Sequence, residues 1–218
     1  VEGAAKARDN AGMAFSDTFF MTLRNLYIQR DDYAGTISIA FAGATDPSEM
    51  VKDMSISPFN IGNEIMLEDF TAPETRELTQ LVEVAGIIAT EDLHQAIYSW
   101  AGGHPYLTQW ICQALEKKAH RTGSTLMTAQ HVETVIERSV FNRANPLNNV
   151  KHMARVLSNL SPQAATFWAR LRAGQLLHQD EVGDNILREL YLSGAIKILP
   201  DDRVVIRNRI YEKAFGKR

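Results

Sequence analysis

Apolar residues recur at spacings of three and four along most of 71–141, and this helical periodicity is the strongest constraint that the sequence places on the fold. Thr71-Ala72-Pro73-Glu74 matches a capping box with proline in the first turn, which predicts a helix start. Four apolar faces follow: Leu78, Leu81, Val82 and Ala85; Leu93, Ala96, Ile97 and Trp100; Leu107, Ile111, Ala114 and Leu115; and Val132, Val135 and Ile136. We therefore predict a four-helix bundle over 71–141.

The pattern changes after the polar stretch 142–149, which contains one proline and marks a boundary between two helical units. Beyond it we predict helices over 150–160, over 162–173 with Ser161 as cap, and over 181–192. Two β-rich runs, 195–199 and 203–206, flank Pro200-Asp201-Asp202 and predict a hairpin. Three helices followed by a hairpin is the order of a winged helix-turn-helix, predicted here over 147–218.

The segment before the bundle contains one strong strand candidate, Ile37–Ala44 (ISIAFAGA), which follows a helical pattern over 16–30. A nearly continuous apolar run of this kind is typical of a strand covered on both faces of a parallel sheet. Such a strand needs neighbours, and no run of comparable quality precedes the C-terminal region. We expect the rest of the sheet to lie outside this sequence, so the fold class is mainly α with one α/β portion in 1–70.

Composition excludes several classes of protein. The 218 residues are 45% apolar and 22% charged, which is the balance of a soluble globular chain. No stretch approaches the roughly 18 apolar residues of a membrane span, and the first ten residues lack a signal peptide's apolar block. A single cysteine, Cys112, excludes a disulfide framework and a multi-cysteine zinc site. We expect a cytoplasmic protein without a membrane partner.

The sequence contains no recognisable catalytic motif. The pattern G-x-x-x-x-G-K-[ST], whose backbone cradles phosphates, is absent, as is the nucleophile motif G-x-S-x-G. The six histidines show no spacing typical of metallopeptidases. We therefore assign no catalytic and no metal-binding residue.

The segment Gly102-Gly103-His104-Pro105 is the most informative short motif. Two glycines let other backbone approach closely, and Pro105 suits the first position of the next helix. Two interpretations remain open from the residues alone. The segment is either a tight helix-helix turn or a surface against which a flat ligand can lie.

Five segments, in order, resemble the bacterial AAA-like domain of the STAND class of signal-transduction NTPases. They are 42–51 (AGATDPSEMV), 57–62 (SPFNIG), 102–109 (GGHPYLTQ), 191–194 (YLSG) and 208–211 (NRIY). The similarity runs from about Phe15 to Phe215 and concerns the C-terminal part of that ATPase. It implies a C-terminal remnant of the α/β P-loop core in 1–70, one strand plus helices, a helical lid in 71–141 and a winged helix in 147–218. The Walker A and Walker B segments would precede Ser16.

The resemblance also implies site residues. Gly103-His104-Pro105 looks like the G-x-P motif, whose proline packs on adenine, and Thr45 would occupy the sensor-1 position. Gly103, His104, Pro105 and Thr45 are thus the expected cofactor-binding residues. The cofactor would be ATP or ADP with Mg in the full-length parent. This chain alone should bind no nucleotide tightly and should not hydrolyse ATP, because phosphoryl transfer needs the missing phosphate cradle and magnesium ligands.

Three functions follow, in order of preference. The first is a regulatory lid and winged helix that completes the adenine site of an upstream P-loop core and relays nucleotide state to a protein partner or effector domain. The second is a DNA-binding regulator, because from Arg203 onward six Lys/Arg face one acid, although the helix over 181–192 is acidic. The third is a structural interaction module. The charge asymmetry, 6 Lys/Arg against 14 Asp/Glu in 1–86 and 17 against 12 in 87–218, fits two domains that attract each other or a basic half that meets nucleic acid, phosphate or another protein, but an uneven solvated surface explains it more simply.

Overall fold

The structure is a computed structural model that describes residues 15–29, 39–43, 57–59, 61, 63, 65, 67–141 and 147–216. The chain divides into two compact units, Val1–Leu67 and Glu68–Arg218. The bundle region and the C-terminal region both belong to the second unit. The finer division at 142–149 into a lid and a winged helix stays a prediction.

The first unit is organised around α1 (Phe15–Ile28) and a cluster of aromatic rings. Phe20 is buried on α1, and its ring centroid lies 6.1 Å from that of Phe41 and 5.2 Å from that of Phe59. Arg24 donates a 2.8 Å hydrogen bond to the carbonyl oxygen of Ser57. Ser57 and Phe59 of the SPFNIG segment therefore pack on α1.

The prediction of a strand over 37–44 is wrong where the structure describes it. Residues 39–43 are not in a strand, and Ile39 and Phe41 are each close to half exposed instead of covered on both faces. A strand requires a neighbour to accept and donate its backbone hydrogen bonds. Among the described residues no strand pairs with this run, so its apolar composition alone does not produce a strand.

The second unit begins with helices and one short parallel strand pair. The helices are α2 (Ala72–Thr79), α3 (Leu81–Val84), α4 (Glu91–Ala101), α5 (Pro105–Thr122) and α6 (Ala129–Val135), and α6 continues into a π-helical turn, Ile136–Val140. Strand β1 (Ile88–Ala89) pairs in parallel with β2 (Leu126–Met127). This pair, which the sequence analysis did not predict, ties the segments that follow α3 and α5.

The predicted capping box at Thr71 is confirmed. The backbone N–H of Glu74 donates to Thr71 Oγ1, and the Thr71 N–H donates to the Glu74 carboxylate at 2.8 Å. The apolar face predicted for the first helix is partly wrong, because the helix is interrupted at Gln80, between α2 and α3. Leu81 is 62% exposed, whereas Thr75 and Thr79 are buried. The break removes residues 78 and 81–85 from a common helical face.

The faces predicted for the three other helices are confirmed. Leu93, Ile97, Trp100, Leu107, Ile111, Leu115, Val132, Val135 and Ile136 are all buried. They belong to one apolar cluster that continues into the C-terminal region through residues such as Met153, Trp168 and Tyr211. The second unit thus has one continuous core.

The C-terminal region contains four helices and a small antiparallel sheet. Its elements are α7 (Asn148–Ser158), α8 (Pro162–Arg172), β3 (Leu177–His178), a 3-10 turn (Gln179–Glu181), α9 (Asp184–Leu192), β4 (Ile196–Ile198), β5 (Arg203–Ile206) and α10 (Arg209–Phe215). The strand order is β3-β5-β4, with Ile196 opposite Ile206 and Leu177 opposite Val204. The predicted hairpin and the Ser161 cap are confirmed. Strand β3 and helix α10 were not predicted.

Within the part of the chain that the structure describes, no helix combines the length and the apolar character needed to cross a bilayer.

Candidate functional site

Three of the four predicted site residues are consecutive in the sequence and lie in the turn between α4 and α5. Gly102 ends α4 in the left-handed conformation (φ 61°), and its N–H donates to the carbonyl oxygen of Tyr98 at 2.7 Å. Gly103 continues with φ 83°, His104 is the residue before α5, and Pro105 is the first residue of that helix. Because two successive positive φ values favour glycine, the glycine pair is a requirement of this turn. The fourth predicted residue, Thr45, lies outside the described residues.

Backbone from outside the turn presses on both glycines. The carbonyl oxygen of Gly103 accepts a 2.9 Å hydrogen bond from the N–H of Phe70. A Cβ atom at Gly103 would overlap the carbonyl oxygen of Phe70, and one at Gly102 would lie 3.2 Å from Asn208 Cβ. The turn is therefore held between the segment preceding α2 and the start of α10.

His104 connects the turn to α10 through Tyr211. Tyr211 is buried, its hydroxyl donates to Asn149 Oδ1 at 2.8 Å, and its oxygen lies 3.4 Å from His104 Nε2. The two rings meet edge to face, with 6.1 Å between centroids and an interplanar angle of 88°. Since the Tyr211 hydrogen is used by Asn149, the geometry fits an N–H at His104 Nε2 that donates to the Tyr211 oxygen. This link joins α5, α7 and α10.

Burial controls the charge state of this link. Burial, followed by the positive charge of Arg207, lowers the pKa of His104 to about 4. Burial also raises the pKa of the Tyr211 hydroxyl. Both groups are neutral at physiological pH, so the link is a neutral hydrogen-bonded chain.

An ion pair lies beside the turn. Arg207 Nε is 2.9 Å from Asp69 Oδ2 and Arg207 Nη2 is 2.7 Å from Asp69 Oδ1, so two donors meet two acceptors. The side chains are only 24% and 16% exposed. Burial by itself would lower the pKa of Arg207. The hydrogen bonds and the negative charge of Asp69 have the opposite and larger combined effect, so the pKa of Arg207 is raised. Such bidentate pairing specifies the position of both partners.

A second contact holds α10 against α4 and α6. The guanidinium carbon of Arg209 lies 3.9 Å from the centroid of the Trp100 ring, and Trp100 Nε1 donates to Glu133 at 2.9 Å. Arg209 also approaches Glu133 at 3.7 Å, and Lys213 pairs with Glu137. Cation-π contact and ion pairing thus act on the same face of α10. We call Trp100, Glu133, Glu137, Arg209 and Lys213 the α10 clamp.

Three buried polar atoms near the turn have no partner among the described residues. They are His104 Nδ1, Thr108 Oγ1 and Asn208 Nδ2. Thr108 lies one helical turn after His104, and Asn208 packs closely against Gly102. Buried polar groups are normally hydrogen-bonded, so these atoms can accept and donate to water or to a ligand with both kinds of group.

Neither the single cysteine nor the potential metal ligands of the described residues add a reactive group to the site. Burial raises the pKa of the Cys112 thiol to about 12, which keeps it protonated and unreactive. No group of three or more His, Cys, Asp or Glu side chains is placed to hold a metal ion within the ranges that the structure covers.

Sequence reasoning missed most partners of the turn. Asp69, Asn149 and Tyr211 were given no role, and Arg207 was considered only as part of a basic tail. Asp69 and Arg207 are 138 residues apart, so no local spacing could relate them. The NRIY segment was the one available signal, because it places Asn208 and Tyr211 at the start of α10.

Comparison with known proteins identifies the class. The model of the AAA-like domain family matches residues 12–178, and the chain belongs to this family. This membership indicates a nucleotide-related regulatory module.

A similar curated protein is an uncharacterized WD repeat-containing protein of Synechocystis, which is 31% identical over 186 residues. The match covers 83% of this chain but only 14% of that relative. No solved structure matches the chain.

The low pKa of His104 predicts a specific pH dependence of stability. Between pH about 4 and about 6.5 the unfolded chain binds a proton at this residue that the folded protein does not. The part of the folding stability that depends on an uncharged His104 is therefore fully present above pH 6.5 and is lost as the pH falls toward 4. From pH 7 to pH 5 we expect His104 to account for a loss of about 2 kcal/mol in the free energy of unfolding.

The measurement is urea denaturation of the wild type and of His104→Gln at several pH values. The difference between the two proteins removes the contributions of other groups, including His94, whose pKa burial also lowers. The pH-dependent loss should be smaller in the variant by about 2 kcal/mol. Parallel pH profiles for the two proteins would contradict the prediction.

Proposed function

We propose that the chain is the regulatory lid and winged-helix portion of an ATP-dependent STAND-class signal-transduction NTPase. In this proposal 71–141 is the lid, 147–218 the winged helix and 1–70 the C-terminal remnant of the nucleotide-binding core. Gly103, His104 and Pro105 complete the adenine site, with Thr45 at the sensor-1 position. A P-loop core binds ATP or ADP with Mg, and the present chain does not hydrolyse ATP alone. Family membership supports the nucleotide-related part of this proposal.

We call the three residues proposed to contact adenine, Gly103, His104 and Pro105, the adenine wall. The chemistry of the turn is compatible with this role. Pro105 offers an apolar ring at the start of α5. His104 Nδ1 and Asn208 Nδ2 are an acceptor and a donor without a partner, but both are buried, so a purine base would reach them only after the turn moves. These residues would orient the base, while the chemistry on the phosphates would belong to the P-loop core and its magnesium.

The link from His104 through Tyr211 to Asn149 is the observation that carries the relay. A base that presses on the turn displaces His104, and the contacts of His104 and Gly102 with residues 207–211 pass the displacement to α10. Nucleotide can bias two packings of α10 only if it contacts them differently. Support for such a difference is that the turn would belong both to the proposed ligand site and to the α10 interface.

The ion pairs of the C-terminal region favour a protein partner over DNA. Four of the six basic residues considered for DNA contact are engaged by carboxylates: Arg203 by Asp201, Arg207 by Asp69, Arg209 by Glu133 and Lys213 by Glu137. The other two, Lys217 and Arg218, lie outside the described residues. A DNA phosphate would have to compete with these carboxylates. The carboxylate of Glu189, on the acidic helix α9, accepts hydrogen bonds from the N–H and the hydroxyl of Ser161. Glu189 therefore helps to fix the start of α8.

The proposal is tested with the natural protein that joins this chain to a P-loop core. Binding of a fluorescent ATP analogue with magnesium is compared between the wild type and Pro105→Ala. We expect about tenfold weaker binding, because the variant loses the ring that faces the base. Pro162→Ala, which changes the corresponding first residue of α8, is the matched control and should bind within about twofold of the wild type.

The relay is tested by hydrogen exchange in 209–215 with and without nucleotide. Tyr211→Phe should keep nucleotide affinity and lose the nucleotide-dependent change in α10. A protein that binds no nucleotide would support the structural module instead. Salt-sensitive DNA binding that disappears when Arg207 and Arg209 are replaced would support the DNA-binding regulator.

A further inference from the structure

A cleft of about 340 Å³ lies between α5 and the segment formed by α6 and the π-helical turn. Four of its lining residues are cationic: Lys117, Lys118, Arg121 and Arg138. None of the described lining residues carries a carboxylate. We call this feature the basic cleft.

Two acids beside the α6 wall of the cleft face α10 instead of the cleft. Glu133 and Glu137 lie next to Thr134 and Arg138 in sequence, but they contact Arg209 and Lys213 in the α10 clamp. Within the described residues, Lys118, Arg121 and Arg138 form no ion pair, and Lys117 donates to the uncharged side chain of Gln113. The positive charge of the cleft is therefore left without a neutralising partner.

The π-helical turn shapes one wall. Ile136–Val140 departs from the α-helical pattern, and Arg138 and Ser139 of this turn line the cleft while Glu137 contacts α10. π-Helical turns are rare and occur often at functional sites. Consecutive residues of a helix point in different directions, so Arg138 can line the cleft while its neighbour Glu137 contacts α10.

The other wall combines charge with apolar surface. Along α5 the lining residues run from Trp110, which is half-buried, through Ala114 to Arg121. Eleven helical steps correspond to about 16 Å. An extended peptide of about five residues has that length. Trp110 and Ala114 can contact an apolar side chain, while the four cations can pair with carboxylates.

We propose that the basic cleft docks a short acidic peptide segment of a partner protein, with several Asp or Glu residues and one apolar side chain. Charge complementarity selects the occupant. Nucleic acid is disfavoured because the positive region is short and the chain as a whole has a net charge of -3, whereas nucleic-acid-binding domains are usually basic. The cleft is separate from the adenine wall and from the α10 clamp, so this inference does not depend on the proposed function.

Fluorescence anisotropy tests the proposal with a fluorescein-labelled peptide that alternates glutamate with leucine. The variant Arg121→Glu/Arg138→Glu reverses one exposed charge on each wall. The matched control, Arg155→Glu/Arg172→Glu, makes the same change in net charge at exposed positions of α7 and α8. We expect about tenfold weaker binding by the cleft variant and less than a twofold change in the control. Circular dichroism melting checks that both variants fold.

Two further probes decide the identity of the occupant. A peptide with glutamine in place of glutamate should bind at least about tenfold more weakly than the acidic peptide. A labelled single-stranded oligonucleotide should bind more weakly than the acidic peptide. Equal loss of binding in both double variants, equal binding of the glutamine peptide, tighter binding of the oligonucleotide, or no binding of the acidic peptide would each overturn the proposal.

Discussion

Gly103→Ala is expected to lower the free energy of unfolding by about 3 kcal/mol or more. Two costs add at this position. The backbone has φ 83°, which an alanine adopts only with strain, and the new Cβ would overlap the carbonyl oxygen of Phe70. Relieving the overlap requires the backbone before α2 to move and the 2.9 Å hydrogen bond between Phe70 and Gly103 to stretch.

Gly174→Ala is the matched control for this prediction. Gly174 has the same φ of 83°, but a Cβ there would have nothing within 4 Å. Alanine at 174 therefore pays only the strain of the left-handed backbone, about 1 kcal/mol. Chemical denaturation of both variants separates the steric cost from the dihedral cost. If the two variants are equally stable, the close approach of Phe70 to the turn is not a constraint on the folded protein.

Asp69→Asn is expected to destabilise the protein by about 2 to 3 kcal/mol. The change leaves the Arg207 guanidinium largely buried beside a neutral amide that can accept only one of its two hydrogen bonds. The full cost of an uncompensated buried charge is larger, but partial exposure of both side chains lets water screen it. Thermal melting at neutral pH measures the effect.

Two control variants show whether a loss of stability in Asp69→Asn arises from the unpaired, largely buried charge of Arg207. Glu91→Gln breaks the comparable pair with Arg76, whose side chains are 57% and 50% exposed, and should cost less than about 1 kcal/mol. Replacing Arg207 with methionine in the Asp69→Asn background should recover part of the loss, because the unpaired charge is then removed. An Asp69→Asn loss no greater than that of Glu91→Gln would show that the pair contributes nothing beyond a surface contact.

Local sequence signals predicted the elements that depend on neighbouring residues. The Thr71 capping box, the Ser161 cap, the faces of α4, α5 and α6 and the hairpin of β4 and β5 were all predicted correctly. Each depends on residues within a few positions, where hydrogen-bond geometry and helical periodicity act directly. The predicted strand over 37–44 failed in its described part because strand formation depends on partners that local composition does not specify.

The candidate site also combines features that the sequence reveals with features that only the folded structure reveals. Glycine and proline requirements made the turn at 102–105 visible in the sequence. The partners of the turn were not visible, because Tyr211 and Asn149 reach His104 from distant parts of the chain. The basic cleft also escaped notice, because net charge along the sequence does not say which acids are already paired.

The sequence by itself determined the faces of α4, α5 and α6, the caps at Thr71 and Ser161, the turn at 102–105 and the membership in a family of nucleotide-related modules. The tertiary structure decided which charges neutralise each other, that Arg207 is paired with Asp69, and that one core joins 71–141 to the C-terminal helices. The physical reason is one of range. Capping and periodicity act over three or four residues, whereas ion pairing and core packing depend on distances in space that the chain sets only when it folds.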